Sequence, residues 1–163
     1  MTLTLTLGVI DEPYLNEEGK QLEVTTGDVA QILEKKYHVM STFFQLNESK
    51  IYSYIENSLN AALNATIAGE NVNQFSDAEN RIERDFRQFL TSKIMDGLNV
   101  PGVPTQASLA GISHLYKWSI DNSSEFKLVR GKKVTNKPTG VPRPSFIDTG
   151  MYQAAFKAWF EES

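Results

Sequence analysis

Leu3, Leu5 and Leu7 alternate with threonines at the start of the chain, which predicts a strand with the leucines on one face. Threonine favours the extended backbone. Residues 8–19 read as a turn region around Pro13, and Gln21 to Thr25 as a return strand. An edge strand of the chain's own sheet and an arm that adds to a neighbour's sheet account equally well for residues 1–25. From Asp28 the period becomes helical. Val29, Ile32, Leu33, Met40, Phe43 and Phe44 form one stripe, predicting a helix to about Leu46. Asn47 reads as a new cap. A second helix then runs to Ala68 with Ile51, Tyr54, Ile55, Leu59, Ala62 and Leu63 inward, and Gly69 stops it. Ala61, Ala62, Ala65 and Ala68 are small enough to let another helix approach closely.

Ser76 and Glu79 have the spacing of a capping box, opening a third helix that reaches about Met95 before Gly97. Ile82, Phe86, Phe89, Leu90 and Ile94 mark its core face. Arg81, Arg84 and Arg87 alternate with Glu79, Glu83 and Asp85 as an ion-paired outer surface. Past the Val100–Pro104 connector, Thr105 caps a short helix carrying Leu109, Ile112, Leu115 and Tyr116. Glu125 to Arg130 alternates like a strand, and Gly131-Lys132 turns it toward Lys133–Thr135.

The last stretch is the densest in signals. Pro142 and Pro144 cannot continue a helix, and each biases its predecessor toward extended geometry. Phe146 and Ile147 form a short extended apolar pair. Asp148 stands where a helix N-cap is expected. Behind it Tyr152, Ala155, Phe156, Trp159 and Phe160 share one helical face, with Gln153, Lys157 and Glu161 opposite. The expectation is a short C-terminal aromatic helix that docks on the subunit's own core or on a neighbour. Leu3, Leu5 and Leu7 carry the same two readings. The whole is expected to be one α+β domain over residues 1–163, with several long amphipathic helices packed on a small, mostly antiparallel sheet. That sheet would take the N-terminal strand, the 125–135 hairpin and the segment around Ser145–Ile147.

The composition narrows the chemistry. The chain has no cysteine, which excludes disulfides, thiol catalysis and cysteine-ligated zinc. His38 and His114 are its two histidines, and neither has a second metal donor beside it, so neither metal nor cofactor is expected. No apolar run approaches the ~20 residues of a membrane span, and the N-terminus lacks the basic start of a signal peptide. The net charge of −4 is unevenly spread. Residues 1–85 hold 14 acidic and 6 basic side chains, residues 86–163 hold 6 and 10. Such opposed halves suit association between copies. Lys127, Arg130, Lys132, Lys133 and Lys137 cluster on the predicted hairpin and are the candidate DNA-facing residues.

Asp148-Thr149-Gly150, leading into Met151-Tyr152-Gln153-Ala154-Ala155-Phe156 and preceded by Arg143-Pro144-Ser145-Phe146, resembles a pattern of small structural proteins of tailed bacteriophages. These form the neck and tail-completion rings between portal and tail. The resemblance covers residues 142–160, roughly an eighth of the chain. It implies a non-enzymatic, virion-located subunit assembled in the host cytoplasm, in a closed ring of about six or twelve copies. Its neighbours would be portal, neck or tail proteins, with genomic DNA in the channel. Asp148-Thr149-Gly150 also matches the triplet of retroviral-type aspartic proteases. That chemistry needs two carboxylates sharing a proton, and a lobe and flap built from sequence after the triplet. A hydrolase using Asp148 or a histidine is therefore the second reading, and a non-viral interaction adaptor the third.

Overall fold

The computed structural model describes residues 3–15, 19–70, 74–111, 118–120, 126–128 and 141–162. Strand β1 (Leu3–Val9) leads into a hairpin of β2 (Pro13–Leu15) and β3 (Gln21–Thr25). Helices α1 (Thr26–Tyr37), α2 (Val39–Ile67) and α3 (Ser76–Thr91) follow, then the short α4 (Ile94–Gly97) and α5 (Gln106–Ala110). Strands β4 (Trp118–Ile120) and β5 (Phe126–Leu128) come next. Helix α6 (Met151–Ala155) then runs directly into β6 (Phe156–Glu162). The α+β class holds, with every strand pairing antiparallel: β1 with β6, β2 with β3, β4 with β5. These are separate two-stranded pairs, so the expected single sheet is not formed among the described residues.

The Thr/Leu alternation does form a strand, and its partner is the other end of the chain. Leu5, Leu7 and Val9 lie opposite Phe160, Ala158 and Phe156, while Thr6 and Gly8 lie opposite Trp159 and Lys157. The period-2 rule therefore puts the apolar set on the core side and Trp159 on the other. Glycine is needed at position 8, because a Cβ there would stand 2.8 Å from the Trp159 ring. Beyond β1, the buried Thr26 fixes the chain: its hydroxyl donates to the Ile10 carbonyl at 2.6 Å and accepts from the Glu12 N–H at 2.8 Å.

Three expectations are corrected here. The aromatic terminal helix is helical only from Met151 to Ala155, and Phe156 onward is a strand. Positions four apart share a face in a helix and in a strand alike, so Phe156 and Phe160 fit both periods. The ladder to β1 gives the backbone partners that a lone short helix lacks, and aromatic residues pack well on a pleated surface. Asp148 does not cap this helix; Gly150, at φ 80°, holds the N-cap position and no side chain caps it. The Ser145–Ile147 segment is a turn rather than a strand, with Phe146 at φ 70°.

The helix boundary also moves. The break falls at His38, φ 53°, and not at Asn47. Glu34 makes that break tenable: its carboxylate accepts the N–H groups of Met40 at 2.8 Å and Ser41 at 3.2 Å, and the Ser41 hydroxyl. Those are orphan donors of the first turn of α2. Asn47 sits inside a continuous helix and donates to the Phe43 carbonyl at 2.8 Å. At the start of α3 the N-cap residue is Phe75, without a side-chain cap, so the Ser76/Glu79 box does not close. Helix α3 ends at Thr91, and Met95 rather than Ile94 enters the core. The strand predicted at 125–130 exists as β5, but pairs back to Trp118–Ile120.

Helices α2 and α3 and strand β6 meet around Phe86. Its ring stacks on Phe156 at 3.7 Å and meets Phe43 edge-on at 5.2 Å and Tyr152 edge-on at 5.9 Å. Phe43, Phe86 and Phe156 are fully buried, each stabilising the fold by roughly 1.5–3 kcal/mol. Helix α3 also lies along the edge of β6 that β1 leaves open. Glu79 accepts the Phe160 N–H at 3.3 Å, and Lys157 donates to Glu83 at 3.1 Å. A covered edge is closed to stray pairing.

Candidate functional site

The segment Pro142–Gly150 forms a clasp held by its own side chains and by bonds to the α4–α5 region. Two prolines keep its start extended, and the Arg143 N–H donates to the Ser108 carbonyl at 3.0 Å. The Arg143 guanidinium then folds back over the turn. One nitrogen donates to the Ile147 carbonyl and another pairs with Asp148 at 3.4 Å. Both charged side chains are largely buried, which screens the pair less than a surface one.

Ser145 roots the clasp in the α4–α5 region. Its hydroxyl accepts the Thr105 N–H and shares a hydrogen bond with the Ser108 hydroxyl, both at 3.1 Å. Its own N–H donates to Asp96 at 3.4 Å. Phe146 pays for this turn with a positive φ, uncommon for a bulky residue, and its ring rests on Tyr37 of α1 at 5.0 Å. The Thr149 hydroxyl accepts the Met151 N–H at 3.4 Å, and Gly150 supplies the left-handed turn into α6. Asp148 also reaches the second strand: burial and then the Asp148 charge push the Tyr14 phenol up from its ordinary pKa. The Tyr152 phenol is pushed up as well, by burial first and then by Glu34 and Tyr14.

The clasp therefore joins the β2–β3 hairpin, α1 and α5, and delivers α6 and β6 to the core. The expected site residues divide accordingly. Asp148, Thr149 and Gly150 do form a helix-entry motif, with Gly150 at the cap and Asp148 in an ion pair. Tyr152 and Phe156 are buried, and Phe160, Leu5 and Leu7 pack partly buried against the same core. Leu3 is more exposed, and Trp159 lies on the opposite face of β6, its indole N–H donating to Glu161 at 2.8 Å. Lys127 belongs to β5 opposite Ser119. Arg130, Lys132, Lys133 and Lys137 lie outside the described residues, as does His114.

Sequence reasoning missed the role of Arg143, whose pairing with Asp148 depends on the chain reversal at Phe146. It also missed Glu83, read as a surface acid. Glu83 is 6% exposed and receives Arg87 at 3.0 Å and Lys157 at 3.1 Å. Beside it an open groove of about 500 Å³ is lined by Ser76, Asn80, Lys157 and Trp159, among others. Ser108 is fully buried, and its hydroxyl donates to the Thr105 carbonyl at 2.8 Å. Among the described residues no cluster of three His, Asp or Glu side chains is placed to hold a metal, and no helix is long and apolar enough to cross a membrane. The chain matches no protein-family model, no curated protein and no solved structure.

Proposed function

We propose that this chain is a non-enzymatic structural subunit of a tailed-phage virion, acting in the neck or tail-completion region that joins head and tail. The reading rests on the resemblance over residues 142–160. The observation that carries it further is the Arg143–Asp148 clasp. It gives Asp148-Thr149-Gly150 a structural task, the routing of the chain into the β1–β6 pair. An aspartic hydrolase would need Asp148 free to share a proton with a second carboxylate; here it pairs with the Arg143 guanidinium.

In this reading copies of the chain close a ring of about six or twelve subunits through a heterologous contact. That ring stacks on portal, neck or tail proteins, and the basic residues from Lys127 to Lys137 are its candidate DNA-facing surface. Electron microscopy of phage particles labelled with an antibody against the chain tests the placement. Label at the head–tail junction is expected, together with unjoined heads and tails when the chain is absent. Joined, infectious particles formed without the chain would overturn it.

A further inference from the structure

Strand β6 is covered on both edges, by β1 and by α3, whereas β1 pairs with β6 alone among the described residues. The Phe160 N–H turns away from β1 to Glu79, and the Ile10 N–H turns inward to the Ala155 carbonyl at 2.8 Å. Bonded and non-bonded pairs alternate along an antiparallel ladder. Thr4, Thr6 and Gly8 therefore bond to β6, and Leu3, Leu5 and Leu7 aim their N–H and C=O groups at the outer edge. No hydrogen bond from another described residue reaches those groups. Edge strands are ordinarily blunted by lysine, proline or a bulge. Leu3–Val9 has no charge and no proline, and its register with β6 runs unbroken. Beside the same edge lies an open groove of about 490 Å³, lined by Leu5, Leu7, Met40 and Phe44 among others. Leu5 and Leu7 point to the core side of the ribbon, so the groove lies on that side, and Met40 and Phe44 are only partly buried there.

We propose that the outer edge of β1 is a strand-addition site for an extended, uncharged segment of another protein, with a large apolar residue at every second position. The edge and the groove set that chemistry. An extended backbone is what presents donors and acceptors at the two-residue repeat of Leu3, Leu5 and Leu7. A strand added about 4.8 Å from β1 carries alternate side chains over the groove. Glu34 is the one charged residue lining it, and its carboxylate already accepts the N–H groups of Met40 and Ser41 and the Ser41 hydroxyl. A charge brought in by the segment would find no free partner there. This chain does not supply such a segment. Leu5, Leu7, Phe156 and Phe160 of a second copy pack against that copy's own core. Strands β4 and β5, at three residues each, are too short to span Leu3 to Leu7. Outside the described residues no stretch offers three alternate large apolar residues, and residues 129–140 carry Arg130, Lys132, Lys133 and Lys137. The site rests on the edge and the groove, not on the virion reading.

The test is amide hydrogen exchange of the full chain, read residue by residue by NMR, with and without a synthetic peptide. The probe is a short peptide of isoleucine alternating with threonine, with lysines beyond one end for solubility. In the free protein the Thr6 and Gly8 amides should be protected, and those of Leu5 and Leu7 should exchange roughly ten-fold or more faster. At saturating peptide the Leu5 and Leu7 amides should slow by at least about ten-fold. Two altered peptides separate the parts of the site. Serine in place of isoleucine keeps the backbone and leaves the groove empty, and should weaken binding by roughly ten-fold or more. Methylating every second peptide amide keeps the side chains. Of its two phases, the one that removes the donors facing β1 should lose binding. Leu5 and Leu7 protected already in dilute free protein would give the edge to the chain itself and overturn the inference. Protection that rises with protein concentration alone would give it to a second copy and overturn it equally. So would an isoleucine peptide that leaves both amides fast, or a serine peptide that binds as well.

Discussion

Strand β6 and the distal half of α2 are both rich in large apolar residues, and they end in opposite environments. In β6, Phe156 and Ala158 are buried and Phe160 packs on the same core. In α2 beyond Ser58, Leu59, Leu63 and Ile67 are exposed and Ala62 is buried. The difference is one of neighbours. Strand β6 has β1 on one edge and α3 on the other. Helix α2 turns Ile51, Tyr54, Ser58 and Ala62 toward the core and carries Tyr52, Leu59 and Leu63 on its other, exposed face. Apolar spacing alone therefore does not put a residue in the core.

The contrast predicts a graded set of losses. Phe156→Ala removes the ring stacked on Phe86 and should cost about 3–5 kcal/mol in a denaturant titration. A loss near zero would mean the terminal segment is not docked. Glu83→Ala takes the carboxylate from Arg87 and Lys157. Because both cations are well exposed and can turn to water, the cost should be about 1–3 kcal/mol, and smaller for Lys157→Ala.

Asp85 sets an acid limit on the same α2–α3 seam. Burial alone would raise its pKa, but hydrogen bonds from Lys50, Tyr54 and Arg84 together outweigh burial and hold it below 3.8. Tyr54 donates at 2.7 Å and Lys50 pairs at 2.7 Å. A depressed folded pKa gives stability that is present above the unfolded value and lost as pH falls through the folded one. Urea titrations below about pH 4 should therefore show a loss that Asp85→Asn lessens. An unchanged acid slope in that variant would remove Asp85 from the account.

At the clasp the pair is largely buried, so Asp148→Asn and Asp148→Ala, which both leave the Arg143 guanidinium without its carboxylate, should cost a similar amount, about 1–3 kcal/mol. Were Asp148 a helix cap, asparagine would restore what alanine loses. The smallest effect falls on the exposed face of α2: Leu63→Ala should stay within about 0.5 kcal/mol of wild type. A core-sized loss there would erase the contrast with Phe156.

Much of this architecture was legible in the chain. The Leu3/Leu5/Leu7 alternation, the Thr105 cap and the stop at Gly69 all follow from local preferences, and each has its expected place. What failed depended on distant partners. The strand at Phe156 needs β1, more than 140 residues away in sequence, and the local pattern fits a helix equally. The break at His38 needs Glu34 to turn its carboxylate onto the next helix, whereas Asn47 offered a plausible cap in isolation. Leu59 and Leu63 were read as inward because they continue the spacing of Ile51 and Ile55, whereas the face that is covered continues through Ser58 and Ala62. At the clasp, Asp148-Thr149-Gly150 was visible as a helix entry. Its pairing with Arg143 was not, since it follows from the reversal at Phe146.

Amide hydrogen exchange compares the two regions in one measurement. The N–H groups of β6 that bond to β1 should exchange only through global unfolding. The amides of residues 59–69 should exchange far faster, by local fraying of an exposed helix end. Fast exchange in β6, or an α2 end protected as fully as β6, would contradict a terminus locked in the core beside a helix end that is not.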